Sequence, residues 1–203
     1  MLRVLGNASS INVRKVLWTC DEIGQPFALE ELAADTPQLR HFNPNGLVPV
    51  IIDGDFVLWE SNTIIRYLAN KGSAVTLYPV GVRARAQVDQ WIDWQATEFN
   101  TSWRYAFQAL VRKSPAHANA ADIEASVRDW SRTVAIVDEQ LSCTGGFIAG
   151  PAFTLADIPI GLSVNRWFMT PIEPRPSFPA VTTYYERLSK RPGFMRHGRN
   201  GIP

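Results

Sequence analysis

Short apolar runs separated by polar turns fill the first part of the chain, whereas the remainder carries its apolar residues at three- and four-residue spacings. Leu2 to Leu5 reads as a strand, followed by the polar turn Gly6-Asn7-Ala8-Ser9-Ser10. A helix is predicted from near Asn12: Val13, Val16, Leu17, Cys20 and Ile23 share one face, and Gly24 with Pro26 supplies a stop. Phe27 to Leu32 reads as a second strand, parallel to the first across a right-handed helical crossover. Thr36-Pro37 has the form of an N-cap and first helical residue, opening a short helix that closes near Asn43-Pro44.

The stretch NPNGLVPVIIDGDFVLWESNTIIRYLA, Asn43 to Ala69, carries the most information. Val48 to Ile52 and Phe56 to Trp59 read as strands joined at Asp53-Gly54, and a helix opens at Glu60-Ser61 and runs through Ile64, Ile65 and Leu68. The resulting β-α-β-α-β-β-α order is that of a thioredoxin-like domain, here without a CxxC pair. Pro49 sits at a strand mouth, where a missing N–H is tolerated. A cis Val48-Pro49 bond would turn the N–H and C=O of Val48 outward, free to pair with an extended peptide; a trans proline on an edge strand is the plainer alternative. Glu60 and Ser61 at a helix N-terminus suit an ammonium and a carboxylate respectively, or serve only as caps.

Residues 72–81, containing Tyr78-Pro79, break the pattern and read as a linker. Beyond it everything reads as helical. The segment VRARAQVDQWIDWQATEFNTSWRYAFQALV is predicted as one long helix with Val88, Trp91, Ile92, Phe99, Trp103 and Phe107 on one face. A second runs from about Ala121 to Leu141, through Ile123, Val127, Trp130, Val134 and Val137, and stops at Gly145-Gly146. In FTLADIPIGLSV, Thr154 and Asp157 form a capping-box variant with Phe153 and Ile158 as a hydrophobic staple, opening a mostly buried helix. A last helix is predicted near Pro179 to Lys190.

With 203 residues and 46% hydrophobic content, the chain has material for a substantial core in one large or two small domains. Twenty basic against 19 acidic side chains leave a formal charge of +1, which favours neither nucleic acid nor an anionic membrane as partner. Cys20 and Cys143 fit no metal-ligand or CxxC spacing and read as reduced thiols of a cytoplasmic protein. No run approaches the roughly 20 apolar residues of a membrane span, and the N-terminus lacks a signal-peptide pattern.

The run VPVIIDGDFVLWESNTIIRYL resembles the glutathione-binding half of soluble glutathione transferases of the bacterial theta-like and beta-like kind, and the likeness extends through the Thr154–Asp157 cap to nearly the whole chain. It implies a thioredoxin-like domain over residues 1–76, a linker and helix start over 77–86, and an all-helical domain over 87–203 that forms the electrophile pocket. It further implies glutathione as co-substrate, no permanently bound cofactor, no metal, and a homodimer. In such proteins the residue before the proline, here Val48 beside Pro49, pairs with the cysteinyl backbone, and Glu60 and Ser61 take the γ-glutamyl end. The resemblance makes Ser10, four residues before Arg14, the first choice for the hydroxyl that stabilises the thiolate, with Ser9 its competitor and Asn12 beside the sulfur. Capping alone would also account for the three. For the glycyl carboxylate Arg40 and His41 are candidates, although a solvated helix face explains them equally. Asp93 matches an acid that reaches the ammonium across the dimer, or is an exposed helix charge. Trp103, Arg104 and Phe107 are assigned to the electrophile pocket, a core role for the two aromatics being the alternative. Conjugation of the thiolate to a small hydrophobic electrophile is the expected activity, with peroxide or disulfide reduction, or a non-catalytic interaction module, as alternatives.

Overall fold

The computed structural model describes residues 1–203 and begins with β1 (Leu2–Leu5), whose Leu2, Val4 and Leu5 are buried while Arg3 faces solvent and pairs with Glu30. Helix α1 (Ile11–Ile23) follows, ended by Gly24 in the left-handed conformation as its position predicts. Next come β2 (Phe27–Glu30) and α2 (Pro37–Phe42), where Thr36 accepts a hydrogen bond from Leu39 N–H at 3.3 Å. The hairpin β3 (Val50–Asp53) and β4 (Phe56–Trp59) turns through Asp53-Gly54, and α3 (Ser61–Lys71) completes the expected order. The sheet runs β2-β1-β3-β4, with β1 parallel to β2 and antiparallel to β3. Two strands are shorter than predicted. β2 stops at Glu30, and β3 begins at Val50 because Pro49 has no N–H for the ladder.

The chain then becomes helical, but the predicted single long helix is broken. It consists of α4 (Val82–Trp94), a π-helical turn (Gln95–Phe99), α5 (Asn100–Ser102) and α6 (Arg104–Leu110). A π-turn admits an extra residue, so the helix beyond it is rotated relative to a regular continuation. Gln95 and Phe99 at the two ends of this turn are both buried, Gln95 lying on the same helix face as the buried Val88 seven residues earlier. Helix α7 (Ala120–Thr144) is longer than predicted at both ends, from an Asn119 cap that accepts from the N–H groups of Ala121 and Asp122 to Gly145 in the left-handed region. After α8 (Asp157–Met169), α9 (Pro179–Leu188) stops two residues short of prediction, and an additional short helix, α10 (Pro192–His197), occupies the predicted tail. None of the helices is long and apolar enough to cross a membrane.

α1 is the common wall of the two halves. It packs against α3 on one side and against α8 and α10 on the other. Trp18, fully buried, lies 5.1 Å from the Phe194 ring and 5.8 Å from that of Phe153. The Thr154–Asp157 motif differs in detail from a capping box. The Thr154 hydroxyl donates to the Asp157 carboxylate (3.1 Å) instead of accepting from a helix amide, and that carboxylate also accepts from Thr154 N–H (2.8 Å), Ile148 N–H (2.9 Å) and Tyr184 Oη (2.9 Å). Burial pushes the Asp157 carboxyl up to about 6, opposed by these donors. Asp157→Ala would leave two buried amides without acceptors, and we expect a loss of about 3 kcal/mol, read as a lower urea midpoint at unchanged slope.

Candidate active site

A cleft of about 450 Å³ opens between the start of α1, the loop before β3 and the helices α6 and α8. Its geometry depends on a close approach at Gly6, whose φ is +148° and where a Cβ would lie 2.6 Å from Val13 Cγ2 and 3.1 Å from Val48 Cβ. The turn from β1 into α1 is therefore pressed against Val48. Within that turn Asn7 Oδ1 accepts from Ser9 N–H at 2.8 Å, and Ser10 is the N-cap residue of α1. The Ser10 side chain makes no capping hydrogen bond, so its hydroxyl is left for another partner. Ser9, exposed, and Ser10 and Asn12, half-buried, all line the cleft at the positive end of the α1 dipole.

The other edge is set by the hairpin. Val50 pairs with Trp59, so Pro49 and Glu60 leave the ladder at the same end of the sheet. The Val48-Pro49 peptide is cis, and the N–H and C=O of Val48 make no hydrogen bond within the chain. Glu60 is exposed and has φ +71°, a conformation that costs a non-glycine residue about 1–3 kcal/mol and recurs where the surroundings enforce a functional geometry. No side chain caps α3, so the amides of its first turn and the Ser61 hydroxyl are free of intramolecular partners. An extended, zwitterionic peptide fits this combination: a backbone pair at Val48, an acid for an ammonium, and a hydroxyl with helix amides for a carboxylate.

Behind these groups lies a buried cationic layer. The Lys15 ammonium, 3% exposed as a residue, donates to Asn62 Oδ1 (3.1 Å) and Gln95 Oε1 (2.9 Å); Gln95 Nε2 in turn donates to Ser163 Oγ (3.0 Å). Asn62 belongs to the uncapped first turn of α3, so this chain fixes that turn against both α1 and the π-turn. Burial, aided by Arg166 and opposed by Glu60, lowers the Lys15 ammonium to about 7. Arg14 donates to the carbonyls of Ile202 and Pro203, both at 2.8 Å, and its Nε has no partner.

A family model for the glutathione S-transferase N-terminal domain matches residues 9–71, and one for the C-terminal domain matches residues 101–192. Glutathione S-transferase GstB of Escherichia coli (strain K12) is 32% identical over 206 aligned residues, covering 97% of each chain. This chain belongs to the glutathione S-transferase family. Among solved structures, the theta class glutathione S-transferase of Xanthomonas axonopodis pv. citri with glutathione bound superposes with a TM-score of 0.90 at 37% identity, covering 97% of this chain and 96% of that one. Glutathione S-transferase 3 of Zea mays is 29% identical over 208 residues, covering 96% of this chain and 92% of that protein.

In this glutathione S-transferase, Ser9, Ser10, Asn12, Val48, Trp103, Arg104 and Phe107 come together around one cleft, and Pro49, Glu60 and Ser61 lie at the adjoining sheet edge. Trp103 and Phe107 line the cleft and are at the same time core residues, 6% and 3% exposed. Arg40, His41 and Asp93 are not among the cleft-lining residues. Arg40 pairs with Asp35 and packs over Gly46, His41 is exposed, and Asp93 accepts from Arg66 at 2.5 Å. Sequence reading did not find Lys15, Asn62, Gln95, Arg112 or Arg166. The signal that was present is the pair Arg14-Lys15 inside the otherwise apolar register of α1, together with Arg166 inside the apolar run of α8.

Lys15 sheds its proton in the native state near pH 7 and in the unfolded state near about 10.4. Between those values the unfolded chain holds the extra proton, so stability rises with pH across that window, by up to about 5 kcal/mol from this group. Lys15→Met keeps the stem and removes the ammonium. The stability difference between wild type and this variant should change with pH over that window, and a constant difference in denaturant titrations would show that burial does not depress the lysine.

Proposed function

We propose that this family member binds glutathione along the sheet edge and conjugates its thiolate to a small electrophile with an apolar body. The observation that carries the reading is the set of unpaired polar groups converging there: the Val48 backbone, Glu60 and Ser61 on one side, and the Ser10 hydroxyl on the other. In this reading the γ-glutamyl carboxylate takes the Ser61 hydroxyl and the α3 amides, while Glu60 answers the ammonium. Val48 pairs with the cysteinyl backbone, and the glycyl end extends toward α2, where Arg40 packs over Gly46. The sulfur then lies beside Ser10. A free thiol with a pKa of about 8.5 is mostly protonated at neutral pH, and a hydroxyl donor at a helix N-terminus stabilises the thiolate by a charge-assisted hydrogen bond. The thiolate attacks the electrophilic carbon, a C–S bond forms, and the leaving group departs with its electron pair; the thiol proton has already gone to solvent.

The reading includes a homodimer in the cytoplasm, supported by family membership and by two cysteines that stay unpaired. Light scattering should return twice the mass of the chain. Ser10→Ala should lower kcat by about 10²-fold and return the thiol of bound glutathione toward the free value, followed by its ultraviolet thiolate absorbance against pH. Loss at Ser9→Ala and not at Ser10→Ala would reassign the donor. Glu60→Ala should weaken glutathione binding by about tenfold or more in calorimetric titration, because a charged hydrogen bond to the ammonium is removed.

A further inference from the structure

The electrophile side of the cleft is more cationic than an apolar substrate requires. Arg104, Arg112 and Arg166 line it, and no aspartate or glutamate does. Arg166, 3% exposed, lies with its guanidinium 4.3 Å from the Trp103 ring centroid and 4.0 Å from that of Phe107. Its Nε has no hydrogen-bond partner, and its one hydrogen bond within the chain is a long contact of 3.5 Å from Nη2 to the Pro203 carbonyl. The Arg112 guanidinium also lies over Phe107, 5.6 Å from its ring centroid. Neither Arg104 nor Arg112 has an ion-pair partner, unlike Arg3, Arg40, Arg66, Arg191, Arg196 and Arg199, each of which pairs with a carboxylate. Burial together with mutual repulsion among Arg14, Arg112 and Arg166 lowers the two buried guanidiniums, to about 10 for Arg14 and about 9 for Arg166. A buried, under-bonded cation facing a cleft is costly unless an anion completes it.

We propose that the preferred electrophile is an organic acid, an apolar and planar body bearing a carboxylate, with Arg166 and Arg112 taking the carboxylate while Trp103 and Phe107 hold the body. This rests on the transferase reading above. Its physical logic is that a thiolate and an anionic electrophile repel each other in water, and a cleft lined with guanidiniums removes that repulsion only for the charged substrate. Planar guanidinium forks suit a carboxylate bidentately, and the aromatic rings hold them in place from beneath.

A matched pair tests it: 4-chloro-3-nitrobenzoate against the neutral 4-chloro-3-nitrobenzamide. In either, the glutathione sulfur bonds to the chlorine-bearing ring carbon, the C–Cl bond breaks, chloride leaves with the electron pair, and the carboxylate or amide is unchanged. Each kcat/KM is divided by the spontaneous rate of the same compound with glutathione. The wild-type ratio should favour the acid by at least about tenfold and shrink with added salt, and Arg112→Gln should bring it near unity. Arg112 is exposed, so this variant carries little folding risk, whereas Arg166→Gln serves as the second variant once its circular dichroism matches wild type. Equal normalised rates for acid and amide in wild type would overturn the proposal. So would variants that leave the ratio intact but raise the KM for glutathione, which would place the tripeptide's own carboxylate on these arginines, or that leave it intact but raise the bound thiol's pKa. Absence of conjugation with both compounds and with other electrophiles would instead sink the transferase reading itself.

Discussion

Everything at the site depends on a helix that is buried nearly all round yet carries a guanidinium and an ammonium in its second turn. α1 lies between the sheet with α3 and the helices α8 and α10, and Arg14 and Lys15 are 1% and 3% exposed there. Charges in that position cannot be left to solvent, so their partners must come from other elements. Arg14 draws in the chain's last carbonyls, and Lys15 draws in Asn62 of α3 and Gln95 of the π-turn. The two halves are thus tied through the helix whose first residues form the proposed thiolate site. No aspartate or glutamate pairs with Lys15 or Arg14; their acceptors are side-chain amide and backbone oxygens.

The buried glutamine at the start of the π-turn answers the same constraint. Gln95, seven residues after the buried Val88 and so on the same inward face of α4, accepts from Lys15 and donates to Ser163, whose hydroxyl donates on to the Pro159 carbonyl. A fully connected polar chain of this kind supports its members in a low-dielectric interior, where a break at any link leaves a buried group unsatisfied. Trp103 and Phe107, four residues apart beyond the π-turn, meet in edge contact at 5.5 Å, with the Arg166 guanidinium near both rings. This segment thus supplies both a member of the sheet-side network and the aromatic floor of the cleft.

How much of this could be read in the sequence depends on whether the signal is local. The Asp53-Gly54 turn, the Gly24 stop, the Thr36-Pro37 start and the strand-helix order are set by neighbours in sequence, and the structure follows them to within a residue or two. Val48, Pro49, Glu60 and Ser61 could be singled out because a hairpin and a helix start place them at one edge. The extra helix α10 was not legible, since its stability comes from packing on Trp18 and its six residues carry little periodicity. The broken long helix was missed because its apolar spacing is compatible with a regular one, and nothing local marks the buried Gln95 as the partner of a cation on another helix. Arg166 and Arg112 are far from Ser10 in sequence and meet it only through the fold.

That distribution matches a division of labour within the cleft. The proposed peptide-binding edge uses backbone groups and short polar side chains on strands and helix starts, where geometry is fixed by local rules and electrostatic demands are modest. The opposite wall uses a long cationic side chain, Arg166, buried on aromatic rings, where geometry is fixed only by tertiary packing and the electrostatic cost is high. A site that needs only an apolar pocket has no reason to retain that cost, because replacing a buried under-bonded cation by an apolar residue of similar volume is commonly neutral or stabilising. The Arg166 guanidinium, packed on two rings with an unpaired Nε, is therefore better explained by what enters the cleft than by the stability of the empty fold.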